Sequence, residues 1–207
     1  MKGVAILSGG LDSTVSLAAA VRKMEVVLAL TFDYGQRAAR REREASARIA
    51  RHYRVPHRVI RTPWLAALTG TALVNRQAAL PRHEMSERSA KAVWVPNRNG
   101  VFIEIAAAHA ESAGATRLVT GFNREEAATF PDNSKAYVGA VNRALSYSTA
   151  NGVRVVSFTI DLDKRAIVRL GRKLGAPLGH IWPCYEGGKA WCGSCESCLR
   201  SLRALHG

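Results

Sequence analysis

The stretch Ser8-Gly9-Gly10-Leu11-Asp12-Ser13-Thr14 decides how this chain is read. Before it stands an apolar run, Gly3-Val4-Ala5-Ile6-Leu7, of the length of a buried strand. After it, Val15 to Lys23 reads as a helix. A strand that enters a Gly-Gly turn and leaves as a helix builds an anion site. Paired glycines reach backbone conformations closed to other residues. The first N–H groups of a helix lack intrahelical partners, and the helix dipole favours negative charge there. The hydroxyls of Ser8, Ser13 and Thr14 add donors. Asp12 puts a carboxylate beside the expected phosphate, which suits a metal-orienting group or a helix cap. A plain strand–turn–helix link with Ser and Asp as caps would use the same residue types. The Walker A spacing G-x-x-x-x-G-K-[ST] is absent.

Outward from this loop, strand and helix patterns alternate. Val26 to Thr31 reads as a second strand, ending at Phe32-Asp33-Tyr34-Gly35-Gln36-Arg37. Residues 38–52 read as a helix with Ala39, Ala45 and Ile49 on its apolar side, and Val55 to Arg61 as a third strand. Residues 62–96, punctuated by Pro63, Gly70, Pro81 and Pro96, read as a lid or binding loop. A helix follows over Val101–Ala113, a fourth strand over Arg117–Gly121, a polar loop over 122–133 and a helix over Ser134–Ala150. The fifth strand is Val153–Phe158, and the next helix, Lys164–Leu174, ends at Gly175 and Pro177. This order predicts an α/β fold with a doubly wound, parallel, five-stranded sheet. In such a sheet the ligand lies beyond the carboxyl ends of the strands, where Ser8, Asp33 and Gly121 fall.

A length of 207 residues predicts an α/β domain over 1–180 with a small appendage over 181–207. Hydrophobic content of 47% and charged content of 22% are those of a chain able to bury a core. No apolar run reaches membrane-spanning length, and the chain opens directly on its first strand, so no signal peptide and a cytoplasmic location are expected. The net charge of +14 draws anions. The densest basic run, Arg37 to Glu44, mixes both signs and reads as a solvated helix face. Direct nucleic-acid binding stays open without being favoured; it would show as salt-sensitive affinity.

All four cysteines fall in Cys184-x7-Cys192-x2-Cys195-x2-Cys198. In a chain of this class, clustered cysteines point to metal rather than disulfides. Four thiolates suit tetrahedral Zn²⁺, with Lys189, Arg200 and Arg203 near enough to moderate the charge. An iron–sulfur cluster or a redox dithiol would use the same residues. A closed four-sulfur site leaves no position for water, so a structural role is expected.

The loop string resembles the SGGxDS signature of the PP-loop ATP pyrophosphatases. That resemblance implies ATP cleaved between its α and β phosphates, with AMP passed to a substrate oxygen. Over nearly its whole length the chain further resembles the 7-cyano-7-deazaguanine synthases (QueC type). The strings that carry this are Leu7–Thr14, Thr31–Arg37, Val95-Pro96-Asn97-Arg98-Asn99, Thr120-Gly121, Phe130-Pro131-Asp132, and Cys184-Tyr185 ahead of the Cys192 triplet. The resemblance implies a homodimeric ligase that converts 7-carboxy-7-deazaguanine to the nitrile with ammonia and ATP, on the pathway to queuosine or archaeosine. Adenylation turns a carboxylate oxygen into a leaving group, ammonia then gives the amide, and a second activation allows dehydration.

Site roles follow from that resemblance. Ser8, Gly9, Gly10, Leu11, Asp12, Ser13 and Thr14 are expected to hold ATP with Mg²⁺, joined by Thr31, Asp33, Gln36, Arg37 and Gly121. Tyr34, Arg98, Asn99, Glu126, Phe130 and Asp132 are expected around the deazapurine. Asp12, Ser13, Lys164 and Arg98 are expected to carry the chemistry, and Cys184, Cys192, Cys195 and Cys198 to hold Zn²⁺. Two strings depart from the family. Its V-P-G-R-N has Asn97 in place of glycine, and its D-x-S-G-Y-P-D-C-R reads Glu126-Ala127-Ala128-Thr129-Phe130-Pro131-Asp132-Asn133-Ser134. The second departure keeps a related reading open, in which the activated carboxylate joins another amine, such as that of a peptide or protein. A PP-loop enzyme acting directly on tRNA is a further alternative, although 207 residues leave no room for an appended RNA-binding domain. Ammonia is expected as donor because no glutaminase domain and no spare cysteine are evident.

Overall fold

The chain lays down β1 (Lys2–Ile6), α1 (Leu11–Ala20), β2 (Glu25–Asp33), α2 (Ala39–His52) and β3 (His57–Arg61). Then come α3 (Trp64–Ala67), α4 (Glu87–Ala92), α5 (Arg98–Ser112), β4 (Arg117–Thr120), α6 (Arg124–Ala127) and α7 (Lys135–Ser148). Last are β5 (Arg154–Ser157), α8 (Lys164–Leu174) and α9 (Glu196–His206). The computed structural model describes residues 1–84 and 86–207. Its strands form one five-stranded sheet in the order β3-β2-β1-β4-β5, and every neighbouring pair is parallel.

Strand alternation divides the core. Val4, Leu30 and Leu118 face Phe102, Ile103 and Ala106 of α5 and Leu145 of α7. Ala5, Ala29 and Val119 face Val15 and Leu17 of α1, Ile49 of α2 and Ile167 of α8. Helices therefore cover both faces, as a doubly wound sheet requires. The winding runs from β1 out to β3, then restarts on the other side of β1 with β4 and β5. The carboxyl ends of β1 and β4 thus flank the switch point where such sheets bind ligands.

Three segments differ from the sequence expectation. Helix α1 begins at Leu11 rather than Val15, because Gly10 is its N-cap and the turn feeds straight into it. The described residues of 62–96 form a packed wall rather than an open lid. Leu65, Leu73, Leu80, Val93 and Val95 are buried against α5, and the Ala72 amide donates to the Ala92 carbonyl at 2.9 Å. Those apolar residues are too irregularly spaced to match a helix or strand period. The C-terminal segment carries a full helix, α9, which starts from Cys195 as N-cap and packs Ala204 into the core. Among the described residues no helix is long and apolar enough to cross a membrane.

Asn97, the residue before α5, sits at φ 50° and ψ 25°. This left-handed conformation explains why the family string has glycine there, and asparagine is among the few other residues that tolerate it.

Candidate active site

The turn after β1 is held by its own hydroxyls. Thr14 Oγ1 donates to the Gly10 carbonyl at 2.6 Å, Ser13 Oγ donates to the same oxygen at 3.3 Å, and the Ser8 and Ser13 hydroxyls lie 3.0 Å apart. Gly9 has φ +78°, and a Cβ there would lie 2.9 Å from the Ala45 side chain and the Glu42 carbonyl. Gly121, at the end of β4, is a packing glycine: a Cβ would lie 2.5 Å from the Ser13 nitrogen. Only glycines let α1 drive its N-terminus between β4 and α2, which leaves the first amides of α1 facing the crevice.

A cleft of about 260 Å³ opens beyond this turn. Ser8, Gly10, Leu11, Asp12 and Ser13 form its floor, and Tyr34, Arg98, Asn99, Gly121, Glu126, Phe130, Asp132 and Lys164 line its walls. Six residues called for nucleotide contacts lie outside the lining. Thr14 is fully buried beneath the turn. Thr31 Oγ1 donates to the Leu7 carbonyl at 2.6 Å, tying β2 to the end of β1. Asp33 pairs with Arg43. Gln36 is buried, and both ends of its amide are bonded inside the protein. Arg37 reaches the Asn75 carbonyl at 2.7 Å and the Ala78 carbonyl, stapling the 62–96 wall. Gly9 also misses the lining, and its carbonyl accepts from the Trp182 amide at 2.7 Å. The physical reason is common to these residues: each spends its polar groups on holding the loops that carry the lining.

Lys164, the first residue of α8, is no surface residue. Its ammonium is buried between Asp12 Oδ2 and Glu126 Oε1, 2.5 Å from each. Burial opposes its charge, but the two carboxylates more than offset this and raise its pKa. Burial pushes Asp12 up to about 6 despite the attraction of Lys164. Glu126 goes the other way: burial works against its charge, but Lys164, Arg200 and Arg98 outweigh that and lower its pKa. Asp12 Oδ1 is buried with no partner. An oxygen-only, negatively charged acceptor of this kind fits a hard divalent cation.

On the opposite wall, Arg98 donates to the Tyr34 hydroxyl at 3.2 Å. Asp132 is held on both oxygens, from Asn99 at 2.8 Å and Asn133 at 3.0 Å. Burial raises its pKa. The rings of Trp94 and Phe130 lie nearly parallel with centroids 6.1 Å apart. Trp94, Glu196 and above all Glu42 line the cleft without having been singled out in the sequence, as do Tyr185, quoted only in a family string, and Arg200, expected only beside the cysteines. Glu42 was hidden in the charge run, but its spacing pointed inward: Glu42, Ala45 and Ile49 follow the helical i, i+3, i+7 row. The charged lining runs against the basic whole. Asp12, Glu42, Glu126, Asp132 and Glu196 face only Lys164, Arg98 and Arg200.

The four cysteine sulfurs lie within 4.8 Å of one another, and none is in a disulfide. The Glu186 and Cys192 amides donate to Cys184 Sγ at 3.3 Å, and the Cys195 amide to Cys192 Sγ at 3.3 Å. Tetrahedral Zn–S bonds of ~2.3 Å place sulfurs nearly 4 Å apart, so this donor set fits such an ion. Arg200 and Arg203 do not serve the sulfurs as the sequence suggested. They turn to Glu125, at 3.1 and 2.7 Å, and Arg200 also to Glu196 at 2.8 Å.

Comparison with known proteins places this geometry in context. The family model described as queuosine biosynthesis protein QueC matches residues 2–207. A 7-cyano-7-deazaguanine synthase of Pelotomaculum thermopropionicum is 55% identical over 99% of this chain and 96% of its own. That of Carboxydothermus hydrogenoformans is 55% identical over 100% of this chain and 99% of its own. Among solved structures, an NMN synthetase from Francisella tularensis shares the fold at TM-score 0.52 and 17% identity, over 94% of this chain and 69% of that one.

Proposed function

Because the chain belongs to the QueC family, we propose that it is an ATP-dependent ligase, a 7-cyano-7-deazaguanine synthase working in the queuosine precursor pathway. What carries this reading is the end-to-end match to relatives that bear that name at 55% identity. The peptide-amine and direct tRNA readings are not favoured.

In this reading the amides of α1 with Ser8 and Ser13 bind the ATP phosphates. Asp12 would hold Mg²⁺, which when bound neutralises phosphate charge. Lys164 stays ionised at any working pH and stands at the first turn, where it can meet charge developing on the phosphates. Asp132, fixed by Asn99 and Asn133, offers acceptor lone pairs to the N–H groups of a guanine-like edge. The Trp94 and Phe130 rings and the Tyr34–Arg98 pair supply flat and cationic surface for the rest of the deazapurine and its carboxylate. A carboxylate oxygen attacks the α-phosphorus and pyrophosphate leaves. Ammonia then adds to the carbonyl carbon, AMP leaves with the C–O electrons, and a proton is lost, giving the amide. A second activation, at the amide oxygen, lets AMP leave again as nitrogen loses its protons and the nitrile forms. The protein supplies position and electrostatics, and no covalent nucleophile is required. The cysteine centre is read as structural Zn²⁺; a homodimer in the cytoplasm is the working arrangement.

The test is product analysis from 7-carboxy-7-deazaguanine, ATP and ammonium, followed by mass. Nitrile and AMP are expected, and Asp12→Ala should lose turnover at least 10²-fold while folding normally, the scale of one lost charge-stabilising group. ADP as the nucleotide product, or full activity in Asp12→Ala, would refute the assignment.

A further inference from the structure

Glu126 is paired with Lys164 and Glu196 with Arg200, whereas Glu42, a cleft carboxylate with no role in the reaction so far, is held by a neutral amide. Glu42 projects from α2 beside the phosphate turn, where its own backbone oxygen limits Gly9. Gln36 Nε2 donates to Glu42 Oε2 at 2.7 Å. Gln36 is itself locked, donating to the Phe32 carbonyl at 3.1 Å and accepting from the Tyr34 amide at 3.0 Å. A buried side chain is thus committed to aiming one carboxylate oxygen, while Glu42 still lines the open cleft. An oriented acid or base with a second residue fixing it is the geometry of a proton-transfer group. Its charged neighbours are few. Asp33 on β2 opposes its ionisation and is itself paired with Arg43 of α2, while Arg98 on α5 favours ionisation from across the cleft. Tyr34 is neutral, and the phosphate turn beside Glu42 brings hydroxyls, amides and the Asp12 carboxylate, which is itself paired with Lys164. Burial dominates and pushes the carboxyl up to about 7.

A carboxylate beside a phosphate site is repelled unless a cation or a proton comes between. The reaction proposed above, on which this inference rests, brings one: near neutral pH its nitrogen substrate is mostly ammonium, which has no lone pair to attack with. We propose that Glu42 is a catalytic residue that binds ammonium beside the activated carboxylate and takes its proton. The step balances: ammonium and the Glu42 carboxylate give ammonia and the carboxylic acid. Ammonia adds to the acyl carbon, AMP leaves, and the protons pass to solvent through the open cleft. Gln36 acts as the positioning residue.

The experiment compares wild type with Glu42→Gln, which keeps the shape and the Gln36 contact, using 7-carboxy-7-deazaguanine, ATP and either ammonium or hydroxylamine. Hydroxylamine is largely unprotonated at neutral pH and needs no base. With ammonium near pH 7 the variant should fall by about 10²-fold, the usual worth of a general base. Wild type should level off above about pH 7. The variant depends on free ammonia, so its deficit should shrink about tenfold per pH unit. With hydroxylamine the deficit should narrow to a few-fold. An equal deficit with both amines, or one that Mg²⁺ titration removes, would overturn the inference and make Glu42 a structural or metal-holding group. If wild type makes no hydroxamate, the ammonium pH profile decides, and a deficit that does not shrink as pH rises overturns the inference; no nitrile from wild type with ammonium would instead overturn the proposed function itself.

Discussion

Burial holds the Glu42 carboxyl at about 7, against an ordinary glutamate value of 4.5. This has a consequence for stability that is separate from catalysis. Between those two values the folded chain keeps a proton that the unfolded chain has released. The folded state therefore loses stability as pH rises through that window and is level above it. The span corresponds to about 3 kcal/mol at most. Urea unfolding of the ligand-free protein at several pH values should show Glu42→Gln gaining on wild type by up to that amount between pH 4.5 and 7. Parallel curves would mean that Glu42 is solvated. Asp12, raised to about 6 by burial, adds a fall of the same sign to both proteins, so only the difference between them reports on Glu42.

Among the elements, α6 is one turn long, yet it joins two parts of the cleft. Glu125 Oε2 accepts from the Lys164 amide at 3.1 Å, satisfying one of the orphan N–H groups at the start of α8. Its other oxygen accepts from Arg200 and Arg203 of α9. The two arginines differ in exposure, 12% against 49%, and a solvated pair contributes little. A double-mutant cycle on stability should give a coupling of about 1 kcal/mol or more for Glu125 with Arg200, and under about 0.5 kcal/mol for Glu125 with Arg203. Equal couplings would contradict the burial argument. Glu125→Ala should also speed hydrogen exchange at the first turn of α8, where Lys164 stands.

Taken whole, the molecule is tied together at its cysteine segment. Trp182 holds the Gly9 carbonyl, the His83 amide donates to the Ser194 carbonyl at 2.8 Å, Arg82 Nη1 reaches Ser194 Oγ at 2.7 Å, and α9 holds Glu125. Those contacts reach the glycine turn after β1, the 62–96 wall and α6. Metal analysis should find one equivalent of Zn²⁺ per chain. Chelation should then raise hydrogen exchange in all three segments as well as in 184–206, while β3 and the body of α5 stay protected. Exchange that rises only in 184–206 would mean the cysteine segment is an isolated appendage.

Much of this could be read in the sequence, because it depends on local residue order. Strand, glycine turn and helix are neighbours in the chain, so Ser8–Ser13 could be named as the turn that proves to floor the cleft, and the cysteine spacing named the four sulfurs. The alternation of strands and helices sufficed for a parallel, doubly wound sheet, since each period reports which face is buried. What depends on distant partners could not be read. Lys164 could as well have been an exposed first-turn lysine until folding placed it between Asp12 and Glu126, 152 and 38 residues away. Gly121 reads as a strand end, and only the approach of Ser13 makes it indispensable. Gln36 and Arg37 belong to a site-like string, yet folding turned their polar groups inward as scaffolding. Asp12, Glu126 and Asp132 could be expected at the cleft from their strings, but tertiary packing alone decided how they are paired and desolvated, because those are set by residues that meet only after the sheet has closed.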